Sequence, residues 1–195
     1  YTGHTELLAA LTGEPQITTM LSTPGLNVTH VTRHIPLREV PAHLTTENIL
    51  ETIRITHTGL QRMGIAAPRI AVAALNPHGS DQGLMGDEES TIIQPAVEQA
   101  RRENLDAQGP IPADSVFQKA IQGKFDVVVA MYHDQGHIPI KTHDFEHSIT
   151  ITLGLPIIRT SVDHGTAFDI AWRGSRANEE SLVQAILMAA RMAGQ

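Results

Sequence analysis

The sequence contains no cysteine. Disulfides, thiolate metal sites, iron–sulfur clusters and cysteine nucleophiles are excluded together, and the absence fits a reducing, cytoplasmic compartment. Aromatic residues make up only 4% of the chain, so its core must be aliphatic. Lysine and arginine total 14 against 21 acidic residues, a formal net charge of −7, and no basic run interrupts that balance. Non-specific nucleic-acid binding requires a cationic patch, so no nucleic-acid partner is expected. No apolar stretch approaches the ~20 residues that cross a bilayer, so no membrane partner is expected either.

What is present is 195 residues, 41% of them apolar and 18% charged. That length and balance fit one large α/β domain, or one domain plus part of another, rather than a disordered chain. Histidine is the outlier, with 11 copies. A cysteine-free chain rich in His, Asp and Glu can still hold a divalent metal through imidazole and carboxylate. The first residue is Tyr1, and YTGHTELL runs directly into a helix pattern. The chain therefore reads as a piece of something longer.

Short apolar runs alternate with helix-period segments. QITTMLS, LNVTHVT, RIAVAAL, FDVVVAMY, ITITLGL and PIIRTSV read as strands, and the continuous small apolar character of RIAVAAL suits burial on both faces. TTENILETIRITHTGLQRMG reads as a helix with Ile49, Ile53, Leu60 and Met63 near one face. DEESTIIQPAVEQARREN reads as a second, with Pro95 placing a kink or restart. The C-terminal SLVQAILMAARMAGQ reads as a third, with Leu182, Ile186, Ala189 and Met192 at helical spacing. Asp114 is expected to cap a helix after PADSV. This alternation predicts an α/β fold with a substantially parallel sheet. No internal domain boundary can be drawn within 1–195.

Ligands of open α/β sheets bind beyond the carboxyl ends of the strands. Three polar clusters follow strand patterns, carrying His34 in RHIPLRE, His78 in NPHGSDQG and His133 in HDQGHIPIK. Three imidazoles could converge on one divalent ion and leave positions open for substrate; each alone is more often a structural histidine. His30, His43, His57, His137, His143 and His147 read as surface or structural residues. Gly79, Gly83 and Gly86 form a loop, but no P-loop follows, and Asp81, Asp87, Glu88 and Glu89 disfavour an anion there. The plainer reading is a turn with a helix cap. Lys141 and Arg159 are better phosphate or carboxylate partners. His164, Gly165 and Thr166 could line a cofactor pocket or simply form a turn. KTHDFEHS reads as a polar loop that could cover a substrate.

The segments GHTELL, RHIPLRE, LNPHGSDQGLMGDEE, GPIPADSVF, AMYHDQGHIPIK and ITLGLPIIRTSVDHGTAFDIA, in that order, resemble the 4-hydroxythreonine-4-phosphate dehydrogenase family of vitamin B6 biosynthesis and its paralogues. The resemblance runs from residue 1 to about residue 190 and matches the C-terminal portion of such enzymes, which are longer at the N-terminus. It implies an α/β/α sandwich similar to isocitrate and isopropylmalate dehydrogenases, incomplete at its start, in a homodimer with shared active sites. It implies a divalent metal (Zn, Mg or Co) on His34, His78 and His133, with the third ligand supplied across the dimer. It also implies substrate contacts from His4, Thr5, Lys141 and Arg159. Thr150 stands where the family usually has Asn, which bears on substrate identity because Thr lacks the second arm of an amide. HGTAFDIA resembles the dinucleotide-binding motif of the decarboxylating dehydrogenases, implicating His164, Gly165, Thr166 and Ala167 in binding NAD or NADP; Phe168 and Trp172 depart from that motif.

The implied reaction is oxidation and decarboxylation of 4-hydroxy-L-threonine 4-phosphate, with Asp163, His164 and Lys141 as candidates for the general base. A second enzyme reading takes D-threonate or D-erythronate 4-phosphate to dihydroxyacetone phosphate. Readings from other classes are an inactive metal-binding dimerisation module and a metal-dependent hydrolase, which would turn over without nicotinamide.

Overall fold

The computed structural model describes every residue except 2, 166, 167, 169, 174–177 and 195. In chain order the main elements are α1 (His4–Thr12), β1 (Thr18–Thr23), β2 (Leu26–His30), α2 (Val40–His43), α3 (Thr46–Arg62), β3 (Ile70–Ala73), α4 (Gln94–Arg102), β4 (Ala107–Ile111), α5 (Ala113–Ile121), β5 (Val127–Ala130), α6 (His133–His143), β6 (Ile149–Leu153), β7 (Arg159–Val162) and α7 (Glu180–Ala193). The strands form one sheet in the order β4-β3-β5-β2-β1-β6-β7. β4, β3, β5 and β2 run parallel, so their carboxyl ends share one edge; β1, β6 and β7 continue the sheet antiparallel.

The strand patterns explain the layering. Along β5, Val127 and Val129 enter one core, and Val128 and Ala130 the other. The first core is closed by Ile49, Leu50, Ile53 and Leu60 of α3, Ala96, Val97 and Ala100 of α4, and Ala185 and Met192 of α7. The second is closed by Val116, Phe117 and Ala120 of α5 and Ile140 of α6. The result is the α/β/α sandwich that the family resemblance implies. No helix among the described residues is long and apolar enough to cross a membrane.

Local signals set the helix boundaries. Thr45 caps α3 by accepting the Asn48 N–H at 3.1 Å. The predicted restart at Pro95 is present: a π-helical turn over Glu89–Ile93 ends where α4 begins with Pro95 in its first turn. β4 and α6 are among the elements without a sequence signature. β4 contains Gly109 and Pro110, and α6 contains Gly136 and Pro139, residues that break the usual patterns. Two expectations are corrected. Asp114 lies inside the first turn of α5, after the cap position taken by Pro112, and makes no side-chain cap bond. On α7, Met192 is buried but Leu182 and Ile186 are exposed; Ala185 turns inward instead, and its carbonyl accepts the Thr160 hydroxyl of β7 at 2.8 Å.

Candidate functional site

Three of the parallel strands end at one place and are tied together there. Beyond β2, the Thr32 hydroxyl donates to the Met131 carbonyl at 2.8 Å. Beyond β5, the Met131 N–H donates to Gln135 Oε1 at 2.7 Å, and Gln135 Nε2 donates to the Ala74 carbonyl beyond β3 at 2.8 Å. Gln135 is buried. The Gln135 amide thus joins the segments that carry His78 and His133, and the Thr32 hydroxyl ties the segment that carries His34 to them through Met131. Gln135→Met fills a similar volume but leaves a buried N–H and a buried carbonyl unpaired, and is expected to cost about 2 to 4 kcal/mol in urea unfolding. A cost below about 0.5 kcal/mol would show that the strand ends hold without this clasp.

Four imidazoles gather at this edge. The His34 and His133 ring centroids are 5.8 Å apart. His133 and His137, one turn apart on α6, stack at 3.5 Å with planes 11° apart. His30, from β2, lies 4.8 Å from His137. Hydrogen bonds fix the tautomers. The His133 Nδ1 is 2.6 Å from Asp134 Oδ1, which leaves Nε2 as its free lone pair. The His137 Nδ1–H donates to the His133 carbonyl at 2.9 Å. Burial is the main cause that lowers the His137 pKa. It acts more strongly on His30, pushing its pKa down to about 3, with His137 as the next contribution. His30 is thus a neutral core imidazole, with Nδ1 near the Thr19 carbonyl and a buried Nε2 that has no hydrogen-bond partner among the described residues.

These rings line a cavity of about 190 Å³ shared with Thr5, Arg33, Thr150 and Asp163. Lys141 reaches the same wall: its Nζ donates to the Asp163 carbonyl at 3.1 Å and lies 3.6 Å from Asp163 Oδ2. The Ser148 hydroxyl donates to Asp163 Oδ2 at 2.9 Å, and the Thr150 hydroxyl to Oδ1 at 3.4 Å. Asp163 therefore gathers Lys141, Ser148 and Thr150. Arg159, in β7, donates to Thr152 Oγ1 at 3.3 Å, and partial burial lowers its pKa. It is not among the residues lining this cavity. Thr5 faces the cavity while His4, beside it, is exposed.

His78 stands apart. No group of three His, Asp or Glu side chains placed to hold a metal occurs among the described residues. Within one chain, His34 and His133 are neighbours and His78 is exposed on its own loop. The two neighbouring imidazoles, with the free Nε2 of His133, are a donor set that fits a divalent ion such as zinc. The glycine loop after β3 has no phosphate-cradle character, because Glu88 and Glu89 close on it. Of the expected nucleotide contacts, His164 and Gly165 are exposed after β7, and Thr166 and Ala167 lie outside the described residues. KTHDFEHS is not all loop, since its first three residues end α6, and it is tied down: His143 Nε2 contacts the Pro24 carbonyl at 3.0 Å, and His147 Nδ1 lies 2.8 Å from Asp144 Oδ2.

Sequence reasoning did not pick out His30, His137, Arg33 or Gln135 for this place. The signal for His137 is its spacing of four from His133, legible only once the segment is known to be helical. Arg33 is held by the Ile17 carbonyl at 3.1 Å, a partner remote from every motif.

The parallel strand ends and layered sheet define an α/β/α class shared by enzymes of different chemistry. A β-decarboxylating dehydrogenase from Thermococcus kodakarensis has the fold at TM-score 0.58 and 13% identity, over 98% of this chain and 60% of that one. A phosphotransacetylase from Staphylococcus aureus has it at TM-score 0.53 and 14% identity, over 97% and 61%. More specifically, residues 1–189 match the family described as pyridoxal phosphate biosynthetic protein PdxA, and the chain belongs to that family. It is 57% identical, over 99% of its length, to a 4-hydroxythreonine-4-phosphate dehydrogenase of Geobacter metallireducens, of which it covers 57%. It is 51% identical, again over 99%, to a D-threonate 4-phosphate dehydrogenase of Salmonella typhimurium, of which it covers 59%. The crystal structure of a Klebsiella pneumoniae 4-hydroxythreonine-4-phosphate dehydrogenase superposes at TM-score 0.88 with 48% identity, over 97% of this chain and 59% of that one. The chain thus spans somewhat over half the length of the relatives it matches.

Proposed function

We propose that this chain carries the metal and substrate half of an NAD- or NADP-dependent dehydrogenase that oxidises and decarboxylates 4-hydroxy-L-threonine 4-phosphate, working as a homodimer with shared sites. The observation that carries the reading is the single cavity where His34 and His133 meet Thr5, Thr150, and the Asp163 to which Lys141 is paired. His34, His78 and His133 would hold the divalent cation. When bound, the cation supplies Lewis acidity at a substrate oxygen and the nicotinamide supplies a hydride acceptor. The chain's own residues do the rest. Thr5 and Lys141 present hydrogen-bond donors and positive charge to the phosphate or carboxylate, with His4 and Arg159 at the margins. Asp163 fixes the Lys141 ammonium, and its carboxylate would accept the substrate's hydroxyl proton and return it. His164, Gly165, Thr166 and Ala167 are assigned to the nucleotide by their motif. Holding the substrate at both ends supplies orientation, a large share of the rate in such reactions.

A second substrate, D-threonate 4-phosphate, is favoured by one observation. Thr150 replaces the family's usual Asn, and its hydroxyl is directed to Asp163 rather than left free. Relatives named for each substrate match this chain at comparable identity. The test is nicotinamide reduction by the metal-loaded chain with each acid phosphate in turn. His133→Ala is expected to lower turnover at least about a hundredfold and to remove bound metal. Metal retained with turnover unchanged would overturn the assignment. Metal binding without turnover on either acid would favour the non-catalytic module.

A further inference from the structure

The loop after β3 takes an unusual path. Its backbone passes through consecutive positive φ angles at His78 (55°), Gly79 (66°), Ser80 (64°), Asp81 (46°), Gln82 (59°) and Gly83 (94°). L-residues avoid that region because Cβ crowds the following carbonyl. Such a run persists only where the surroundings over-determine it.

Here the surroundings converge on Glu89, in the π-helical turn that closes the loop, at 3% exposure. Its Oε1 accepts the Leu75 N–H at 2.8 Å and the Asn76 N–H at 2.7 Å. Its Oε2 accepts Asn76 Nδ2 at 3.0 Å, and Glu88 Oε2 accepts the same amide nitrogen at 2.7 Å. The Asn76 side chain fits because position 86 has no side chain: a Cβ there would stand 2.6 Å from Asn76 Nδ2. Burial works against the Glu89 charge, but the donors from Asn76 and Leu75 outweigh it and hold the carboxyl below its ordinary pKa. The clamp therefore grips the two residues at the loop's entry, and the strained turn begins two residues later at His78.

We propose that Glu89 is the positioning residue for His78: it fixes Leu75 and Asn76 so that the left-handed turn presents this imidazole to the divalent cation. The inference rests on the assignment of His78 as a metal ligand. A merely structural glutamate would change stability alone, whereas a positioning residue changes what His78 can bind.

The test is calorimetric titration of the full chain with Zn²⁺ alone, together with hydrogen exchange at the Leu75 and Asn76 amides in the metal-free chain. Glu89→Ala is expected to weaken metal binding about tenfold or more, approaching His78→Ala, and to speed exchange at both amides. Glu89→Gln, which keeps the acceptor for both N–H groups, is expected to restore most of the affinity and protection. Val97→Ala, a buried change on α4 that leaves the loop alone, is expected to lower stability without touching affinity. Weakened binding in His78→Ala but not in Glu89→Ala would overturn the proposal. Equal weakening in Val97→Ala would overturn it as well, since the effect would then be one of general stability. Unchanged binding in His78→Ala would overturn the ligand assignment itself, and the proposal with it.

Discussion

Gly136→Ala is expected to destabilise the chain by roughly 3 kcal/mol or more and to disturb the histidine cluster at the same time. Gly136 lies on the face of α6 that packs against β2. A Cβ there would overlap His30 Nε2 and stand 2.7 Å from Val28 Cγ1. Neither neighbour can yield cheaply. Both His30 and Val28 are essentially without solvent contact, and Val28 belongs to the core beneath α6. Alanine is the better helix former by about 1 kcal/mol, so the propensity gain is far smaller than the clash. Either the helix lifts, which moves His133 and His137 with it, or His30 turns out of its rotamer, which breaks its contact with the His137 ring. Urea unfolding reads the first effect, and the imidazole proton shifts of His30 and His137 read the second. A loss below about 1 kcal/mol with unchanged shifts would mean that α6 does not sit this close to β2.

Acid is expected to unfold this protein, with His30 as a principal cause. Its folded pKa of about 3 lies well below the ordinary histidine value of 6.5, with burial as the leading reason. Between those two values the unfolded chain binds a proton at this position and the folded chain does not. Stability therefore rises with pH through that window and is lost as pH falls from 6.5 toward 3. The gap corresponds to about 5 kcal/mol over the full window, a large part of a typical domain's stability. Urea unfolding of the metal-free chain at neutral pH and at mildly acidic pH measures the slope. His30→Leu removes the titrating group from the same packed position and is expected to flatten most of the slope. A slope unchanged in that variant would assign the acid sensitivity to other groups.

The buried β-strands and the long helices were legible because their hydrophobic periods are strong. Ile49, Ile53 and Leu60 face the core as the 3.6-residue period requires, and Ile70–Ala73 is buried on both faces as its unbroken apolar run implied. The candidate site was legible only as a set of residue types at strand ends. His34 and His133 could be named, yet their neighbour His137 was hidden behind Gly136 and Pro139, which disguise α6 as a loop. His30 reads correctly as structural, but nothing local reveals that its ring meets His137. Glu89 reads in the sequence as one more acid that disfavours an anion at the glycine loop, because its partners Leu75 and Asn76 lie on the far side of a loop whose conformation has no sequence code. The common factor is distance along the chain. Periodicity reports what a residue faces, and it does not report which other segment arrives there.

The sheet also sets an order of events for folding. β1 and β2 are joined at Pro24–Gly25 and pair through close neighbours such as Thr23 and Leu26, so this hairpin closes a very short loop. β2 pairs with β5 through Val28 and Val128, across most of the intervening chain, and only that pairing brings the His34 segment beside His133. Local pairs form in microseconds, whereas non-local parallel pairing must first meet the entropy of closing the chain. The histidine cavity is therefore expected to form late in folding. A chain arrested early can hold the hairpin and still lack every contact between β2 and β5 on which the cavity depends.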